Sequence, residues 1–429
     1  MSNGMRRRLA AVLGAITLAL AGSGCAVTTV ITGSEKREAY ELDRTLGLKV
    51  TDPEFRRSAE ALGNPMVGGN SATLLENGDE IFPAMIRDIR AAKKSVNLET
   101  YIFKPDRAGR EVADALMAAA RRGVEVRLLV DAWGSKFKDL RQEFDDAGVQ
   151  AKKFRPVNPF ALHKIGRRTH RKILVVDGRI AYTGGLGIDD RWLGDARNKD
   201  EWRDTQVRAE GPVAAQMQAI FSEDWTFTTG QILAGDLFYP KIEPSGTVLS
   251  QAIKASRGDS TSLSKMLFYI AIESATKKIY IENAYFLPDK QVRRALIDAV
   301  GRGVDVQVIV PGRNIDIPMV RQASWSHYGE LLQGGIQIWE YEPSMMHNKT
   351  MVVDGIYSTV GSINFSSRSM SMNAEESLAF YDRDFGARME DMFHRDRKRC
   401  EQITYAEWKH RGFTKRISET VFWAFEPYY

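Results

Sequence analysis

The feature that most constrains how this chain can fold is an internal repeat: three segments recur in the same order in its two halves. VNLETYIF (96–103) matches IYIENAYF (279–286), each placing apolar and β-branched residues around one carboxylate, Glu99 or Glu282, as a buried strand does. MAAARRGVEVRLLVD (117–131) matches IDAVGRGVDVQVIVP (297–311); each reads as a helix ending at Gly123 or Gly303 that hands over to an apolar strand of the parallel type. HRKILVVDGRIAYTGG (170–185) matches HNKTMVVDGIYSTVGS (347–362). Spacing is kept as well, with 71 residues from Glu99 to His170 and 65 from Glu282 to His347. The repeat predicts an α/β protein of two similar domains, each with a mostly parallel sheet covered on both faces. Their expected limits are 70–240 and 255–415, joined by PSGTVLSQAIKASRGDS (244–260), with a leader at 26–69 and an aromatic tail at 416–429.

With 429 residues, 43% of them hydrophobic, the chain has enough apolar content for two cores. Its first residues have another purpose. Arg6, Arg7 and Arg8 precede an uncharged apolar stretch from Leu9 to Ala21 and then small residues up to Cys25, the pattern of an export signal. That stretch, at 13 residues, is too short to span a bilayer, and no later segment is long and apolar enough. Ser23-Gly24-Cys25 resembles the end of a bacterial lipoprotein signal, which makes residues 1–24 the removed peptide and Cys25 the lipidated residue. Ala19-Leu20-Ala21 is a rival cleavage site that would release an unlipidated protein. Either route leads to the bacterial cell envelope, as a periplasmic or a membrane-anchored protein. The other cysteine is Cys400, and no disulfide is expected. Loss of residues 1–24 lowers the net charge from +5 to +2, which argues against a nucleic-acid partner.

The third repeated segment carries the chemistry. Each copy contains His-x-Lys-x4-Asp, namely His170, Lys172 and Asp177, then His347, Lys349 and Asp354, with Gly-Gly or Gly-Ser 14 and 15 residues after the histidine. Residues two apart on a strand share a face, so each histidine emerges beside its lysine, a geometry suited to a phosphate. One imidazole can attack phosphorus while a second protonates the leaving oxygen and later activates the incoming alcohol or water. The two lysines supply fixed charge for the non-bridging oxygens. Ser362, Asn364 and the Gly361 backbone can donate hydrogen bonds in the second half-site, as can Gly184, Gly185 and Gly187 in the first. Asp204 and Glu375 are spaced to return and hold an imidazole nitrogen. Asp177 and Asp354 complete the catalytic motif but lie on the odd side of the strand, so they are expected to be structural, pairing with basic groups where the halves meet.

These residues resemble the signature of the phospholipase D superfamily, a duplicated HxKxxxxD with a downstream GSxN, and the resemblance covers nearly the whole chain after residue 25. Flanking segments are similar to its bacterial cardiolipin synthase branch: LLENGDEIF (74–82), LETYIF with Asp106 and Gly109, GVEVRLLVDAWGS (123–135), Trp202-Arg203-Asp204, Gly211-Pro212, Phe221 with Asp224-Trp225, and GSINFSSRS (361–369) followed by Asn373-Ala374-Glu375. The resemblance implies two α/β/α sandwich domains with pseudo-twofold symmetry, one active site between them, a phosphohistidine intermediate and no metal or other cofactor. It makes His170 the nucleophile and His347 the general acid/base. The implied reaction joins two phosphatidylglycerols into cardiolipin and glycerol, with a phospholipid as substrate and peripheral or lipid-anchored membrane association. A monomer is expected, since both half-sites lie in one chain. The chain departs from the branch at Gly187, where Asn is usual, leaving the first half-site to backbone donors or to Asp189 and Asp190. It departs again in its export signal, since the usual members are held by transmembrane helices or by the inner face of the membrane.

Rival readings with the same chemistry are an exported phospholipase D or a nucleic-acid phosphodiesterase; one of another class is an envelope lipid-binding protein whose site has decayed. The basic stretch Lys152–Lys172 reads equally as a head-group path or as a solvated lid, and VFWAFEPYY (421–429) as an aromatic end packed on its own domain. His163, His327, His394 and His410 lack metal-ligand spacing. Arg368 and Ser369 fit either site support or helix capping.

Overall fold

The computed structural model describes residues 42, 47–156, 168–255 and 263–412. The export signal, Cys25, most of the leader, the middle of the basic stretch and the aromatic tail lie outside the described residues.

The repeat is a repeat of elements. After α1 (Pro53–Leu62), the first half runs β1 (Val67–Glu76), α2 (Asn77–Ala91), β2 (Ser95–Thr100), α3 (Arg107–Arg121), β3 (Glu125–Asp131), α4 (Arg141–Ala147), β4 (Gln150–Phe154), β5 (Ile173–Val176), β6 (Ile180–Gly184), β7 (Thr205–Glu210) and α5 (Val213–Thr229). The second half runs β8 (Val248–Ala255), α6 (Leu263–Glu273), β9 (Lys278–Asn283), α7 (Lys290–Gly301), β10 (Asp305–Pro311), α8 (Pro318–Gln333), β11 (Gln337–Tyr341), β12 (Lys349–Val353), β13 (Tyr357–Gly361), α9 (Ser367–Ser371), β14 (Glu375–Tyr381) and α10 (Arg383–Arg397). Two short elements follow, β15 (Cys400–Ile403) and α11 (Tyr405–Lys409). Local signals set the boundaries. Asp106 and Asp289 cap α3 and α7 by accepting backbone N–H groups one turn in. Gly123 and Gly303 then take positive φ, +88° and +89°, to leave the helix.

All fifteen strands form one sheet, ordered β15-β11-β10-β9-β12-β13-β14-β8-β1-β7-β6-β5-β2-β3-β4. Apart from β15, the order is the same read outward from the β8–β1 pair in either direction, which places the pseudo-twofold there. The sheet is mixed, not mostly parallel: pairing is parallel through β2, β3 and β4 and through β9, β10 and β11, but antiparallel from β5 to β7 and from β12 to β14. Helical crossovers make parallel neighbours, whereas the Val-Asp-Gly turn of each motif makes a hairpin. At that turn Asp177 and Gly178, like Asp354 and Gly355, all have positive φ, as two-residue turns that match strand twist require.

Alternation along the strands divides the core. Val96, Leu98, Leu174 and Val176 face α2, α3 and α4, while Ile173, Val175 and Val207 share a cluster with Phe221 of α5 and Phe380, Phe385 and Phe393 of the second half. The two halves therefore share one core layer and move as a unit in any packing argument. The segment 244–260, expected as a join, contributes β8, which is paired to both β1 and β14. The end of the leader is also built in: Phe55 of α1 packs edge-on against Tyr357, and Val50 donates its N–H to the Ser274 carbonyl.

Candidate active site

Two isolated parallel bridges cross between the halves, Thr169 to Ala374 and Arg203 to Met346. Each brings a histidine-bearing segment alongside the carboxylate-bearing segment of the opposite half. One residue further along, His170 Nδ1 lies 2.8 Å from Glu375 Oε2, and His347 Nδ1 lies 2.9 Å from Asp204 Oδ2. The pairing is thus crossed: neither carboxylate returns to the histidine of its own half. Both carboxylates are fully buried, with the His170 and His347 side chains 13% and 6% exposed. Occupying Nδ1 in this way leaves Nε2 of each ring for a ligand.

The histidines and Lys172 line a cavity of about 320 Å³ whose wall also includes Tyr101, Trp133, Arg168, Trp202, Tyr285, Asn364 and Arg368. Lys172 and Lys349 sit two residues beyond their histidines, Lys172 immediately before β5 and Lys349 at the start of β12, and each ammonium donates to the carbonyl of its own histidine, at 2.7 and 2.5 Å. Tyr101 and Tyr285 stand edge-on to His170 and His347. They occupy neighbouring but unequal places in the first repeated segment, two residues after Glu99 and three after Glu282, so the repeat alone does not pair them.

The carboxylates are held differently. Glu375 accepts from the hydroxyls of Ser362 at 2.6 Å and Ser369 at 2.7 Å. Asp204 accepts from the Trp192 indole N–H at 2.7 Å and from the Thr205 backbone at 2.8 Å. Gly185 occupies the position equivalent to Ser362, and a Cβ there would lie 2.3 Å from Asp204 Oδ1 and 2.6 Å from the His347 carbonyl oxygen. It makes room for the carboxylate rather than donating to it. At Gly187 a Cβ would already touch the Trp192 ring at 3.0 Å. Asp189 and Asp190 do not stand in there: Asp189 is engaged by Arg191 and Lys104, and Asp190 accepts from the Ala108 N–H.

Burial sets the charge balance. It pushes the Asp204 carboxyl up to about 6 against the pull of Lys349, whereas His170, Lys172 and Ser362 outweigh burial at Glu375 and hold it below the usual carboxylate range. Burial also lowers His170 to about 4 and, with Lys349, Lys172 and His170 adding to it, places His347 well below its ordinary value. Lys349 is lowered to about 7 by the same desolvation. Both histidine shifts favour neutral imidazoles near pH 7. An anion between the lysines reverses the sign of the local field and favours a protonated imidazole.

Asp177 and Asp354 are not at this cavity, and they do not pair with basic side chains between the halves. Asp177 accepts the backbone N–H groups of Lys93, Lys94 and Ser95 at the start of β2. Asp354 does the same for Thr276, Lys277 and Lys278 before β9. A hairpin-turn carboxylate sits at the strand end opposite the histidine, and the nearest partners there are unpaired amides. Arg168 is tied to buried Asp131 while lining the cavity, and Ser366 caps α9 through the Ser369 N–H. Arg368 also faces the cavity.

Sequence reasoning passed over Trp192 and Asp316 in the cavity wall and gave Trp202 no role there. They come from connecting segments with no repeated counterpart in sequence, and only Trp202 carried a signal, through its Trp-Arg-Asp context. Among the described residues no group of three or more His, Cys, Asp or Glu side chains is placed to hold a metal ion.

A family model described as cardiolipin synthase, PLD-like domain, matches residues 85–225 and 269–397, one segment in each half. Cardiolipin synthase of Geobacillus kaustophilus is 35% identical over 365 residues, covering 83% of this chain and 72% of that protein. Cardiolipin synthase A of Serratia proteamaculans is 33% identical over 404 residues, covering 92% and 83% respectively. The fold is shared with a phosphatidylserine synthase from Haemophilus influenzae, with a TM-score of 0.68 at 17% identity over 86% of this chain and 97% of that one. With a duplicated His-x-Lys site, matched domain models and this level of identity along both halves, the chain belongs to the cardiolipin synthase family of phospholipase D-like enzymes.

Proposed function

We propose that the chain is a phosphatidyltransferase that converts two phosphatidylglycerols into cardiolipin and glycerol through a phosphohistidine. The observation that carries the reading is the crossed pairing, which presents two histidines to one cavity with Nδ1 already engaged. His170 Nε2 attacks phosphorus; the bond from phosphorus to the glycerol oxygen breaks, and that oxygen takes a proton from His347 Nε2. Lys172 and Lys349 leave their carbonyl partners for the non-bridging oxygens, where their charge follows the transition state. The head-group hydroxyl of a second phosphatidylglycerol then gives its proton to His347 and attacks, the phosphorus–nitrogen bond breaks, and His170 is regenerated. Water in place of the alcohol gives phosphatidic acid.

Peripheral membrane association is part of this reading. Trp133 and Ile317, which line the cavity, are 60% and 37% exposed, so its edge offers apolar groups to a lipid surface. No helix among the described residues is long and apolar enough to cross a membrane. The arginine-led segment 1–24 supports export to the cell envelope, with Cys25 as the lipid attachment site; radiolabelled palmitate incorporated by the full chain and lost in Cys25→Ala is the expected result. A monomeric enzyme is the reading's oligomeric state.

The test is mass spectrometry of lipids after incubating the chain lacking residues 1–24 with phosphatidylglycerol vesicles, with His347→Ala as control. Cardiolipin and glycerol, absent in the control, are expected. Phosphatidic acid alone would make the enzyme a hydrolase, and no product from the unsubstituted chain would overturn the reading.

A further inference from the structure

The two sides of the cavity are alike at the histidines and lysines and differ in the groups beyond them. On the His170 side the Tyr101 ring lies 5.2 Å from the imidazole, and beyond it Arg168, already paired with buried Asp131, and Arg368 line the cavity wall. On the His347 side the Tyr285 ring lies 6.1 Å from the imidazole, and its hydroxyl meets a carboxylate, donating to both oxygens of Asp316 at 2.9 Å. Asp316 is exposed at the cavity mouth, on the loop between β10 and α8. The transfer described above gives it no work.

A carboxylate is an acceptor only, with about four lone-pair positions. The Tyr285 hydroxyl takes part of that capacity and fixes the carboxylate plane, leaving the remainder for a ligand. A phosphodiester is repelled by this group and belongs with the lysines. An ammonium gains little, because Lys349 and Arg191 already act on the same carboxylate. A neutral ligand with hydroxyl donors fits best, and two adjacent hydroxyls can meet the two oxygens.

We propose that Asp316, oriented by Tyr285, is a hydroxyl-binding subsite that selects polyhydroxyl head groups and acceptors over monohydric alcohols. The inference rests on the transferase reading, in which the leaving and entering alcohols both pass His347, the histidine on the Asp316 side. When the hydroxyl of a glycerol group is engaged at His347, the neighbouring hydroxyl points away from phosphorus, toward Asp316.

The experiment is a competition between two acceptors of equal carbon number. The chain lacking residues 1–24 is given phosphatidylglycerol vesicles with equal labelled glycerol and labelled 1-propanol, and the ratio of labelled phosphatidylglycerol to phosphatidylpropanol is measured. We expect that ratio to favour glycerol and to fall about tenfold in Asp316→Ala, the worth of roughly one charge-assisted hydrogen bond. Asp316→Asn, which keeps an acceptor oxygen, should fall between the two. An unchanged ratio in Asp316→Ala, or equal loss of both products, would overturn the subsite. If the unsubstituted chain makes no cardiolipin and neither labelled product, the transferase reading fails by itself; whenever neither labelled product forms, the subsite is judged by hydrolysis of phosphatidylglycerol relative to phosphatidylpropanol, where the same fall is expected and an unchanged ratio refutes it. A chain inert toward both lipids overturns both proposals.

Discussion

The two half-sites use the same strand, motif and spacing, yet they support their carboxylates with different chemistry. Glu375, which holds His170, rests on two serine hydroxyls that can rotate to donate. Asp204, which holds His347, rests on an indole N–H and a backbone N–H whose directions are fixed by packing. The environment follows the support: Glu375 is held below the usual carboxylate range, while burial takes Asp204 up to about 6. A duplicated frame can therefore serve two unequal roles when the residues differing between copies are those touching the carboxylates. The proposed nucleophile is paired with the carboxylate that stays charged, and the proposed acid/base with the one that titrates nearer neutrality.

The largest expected effect tests whether the roles are unequal. His170→Ala and His347→Ala should each lose about 10²- to 10⁴-fold in turnover. With a phosphodiester whose leaving group needs no proton, such as a nitrophenyl ester, His347→Ala should accumulate a phosphohistidine and His170→Ala should not. The reverse pattern would exchange the assignments.

Smaller in energy, and directed at the crossing itself, is a pair of double-mutant cycles on unfolding free energy. His170→Ala with Glu375→Gln should show a coupling of about 0.5–3 kcal/mol, as should His347→Ala with Asp204→Asn, whereas His170 with Asp204 should be near additive. Coupling within each half instead would refute the crossed arrangement.

The carboxylate supports come next. Gly185→Ala forces a methyl into the space of Asp204 and the His347 carbonyl and should cost about 1–3 kcal/mol. Trp192→Phe removes one hydrogen bond to Asp204 while keeping most of the ring, and about 1 kcal/mol is expected. Thermal unfolding measures both, and an innocuous Gly185→Ala would mean that Asp204 can be displaced without loss.

The smallest effect is in the acid limb of stability. Asp204 has a raised folded pKa of about 6 against 3.8, so the folded state binds more protons in that window and Asp204 adds stability as pH falls. Glu375, with a depressed folded pKa, contributes stability above its unfolded value that is lost as pH falls through the folded one. Asp204→Asn should therefore steepen the loss of stability between pH 6 and 4, and Glu375→Gln should make the acid limb shallower. Slopes of the same sign would show that the two environments are not distinct.

The sequence by itself determined the duplication, the α/β class and the two His-x-Lys motifs, because each is written in local order as alternation, helix stops and a fixed offset within one segment, and it singled out both carboxylates downstream of those motifs. It kept Asp177 and Asp354 in the catalytic motif while reading them as structural, and it gave them basic partners between the halves instead of the amides they hold. What it could not supply was who pairs with whom. Asp204 and Glu375 reach their histidines through backbone bridges between segments 143 and 205 residues apart, and such register is decided only when the halves pack. The same holds for the part-antiparallel sheet, for the Trp192 ring beside Gly187, and for Asp316 opposite Tyr285. Contacts of this kind are fixed by the shared core and the β8–β1 join, and no local pattern of residues encodes a distance across them.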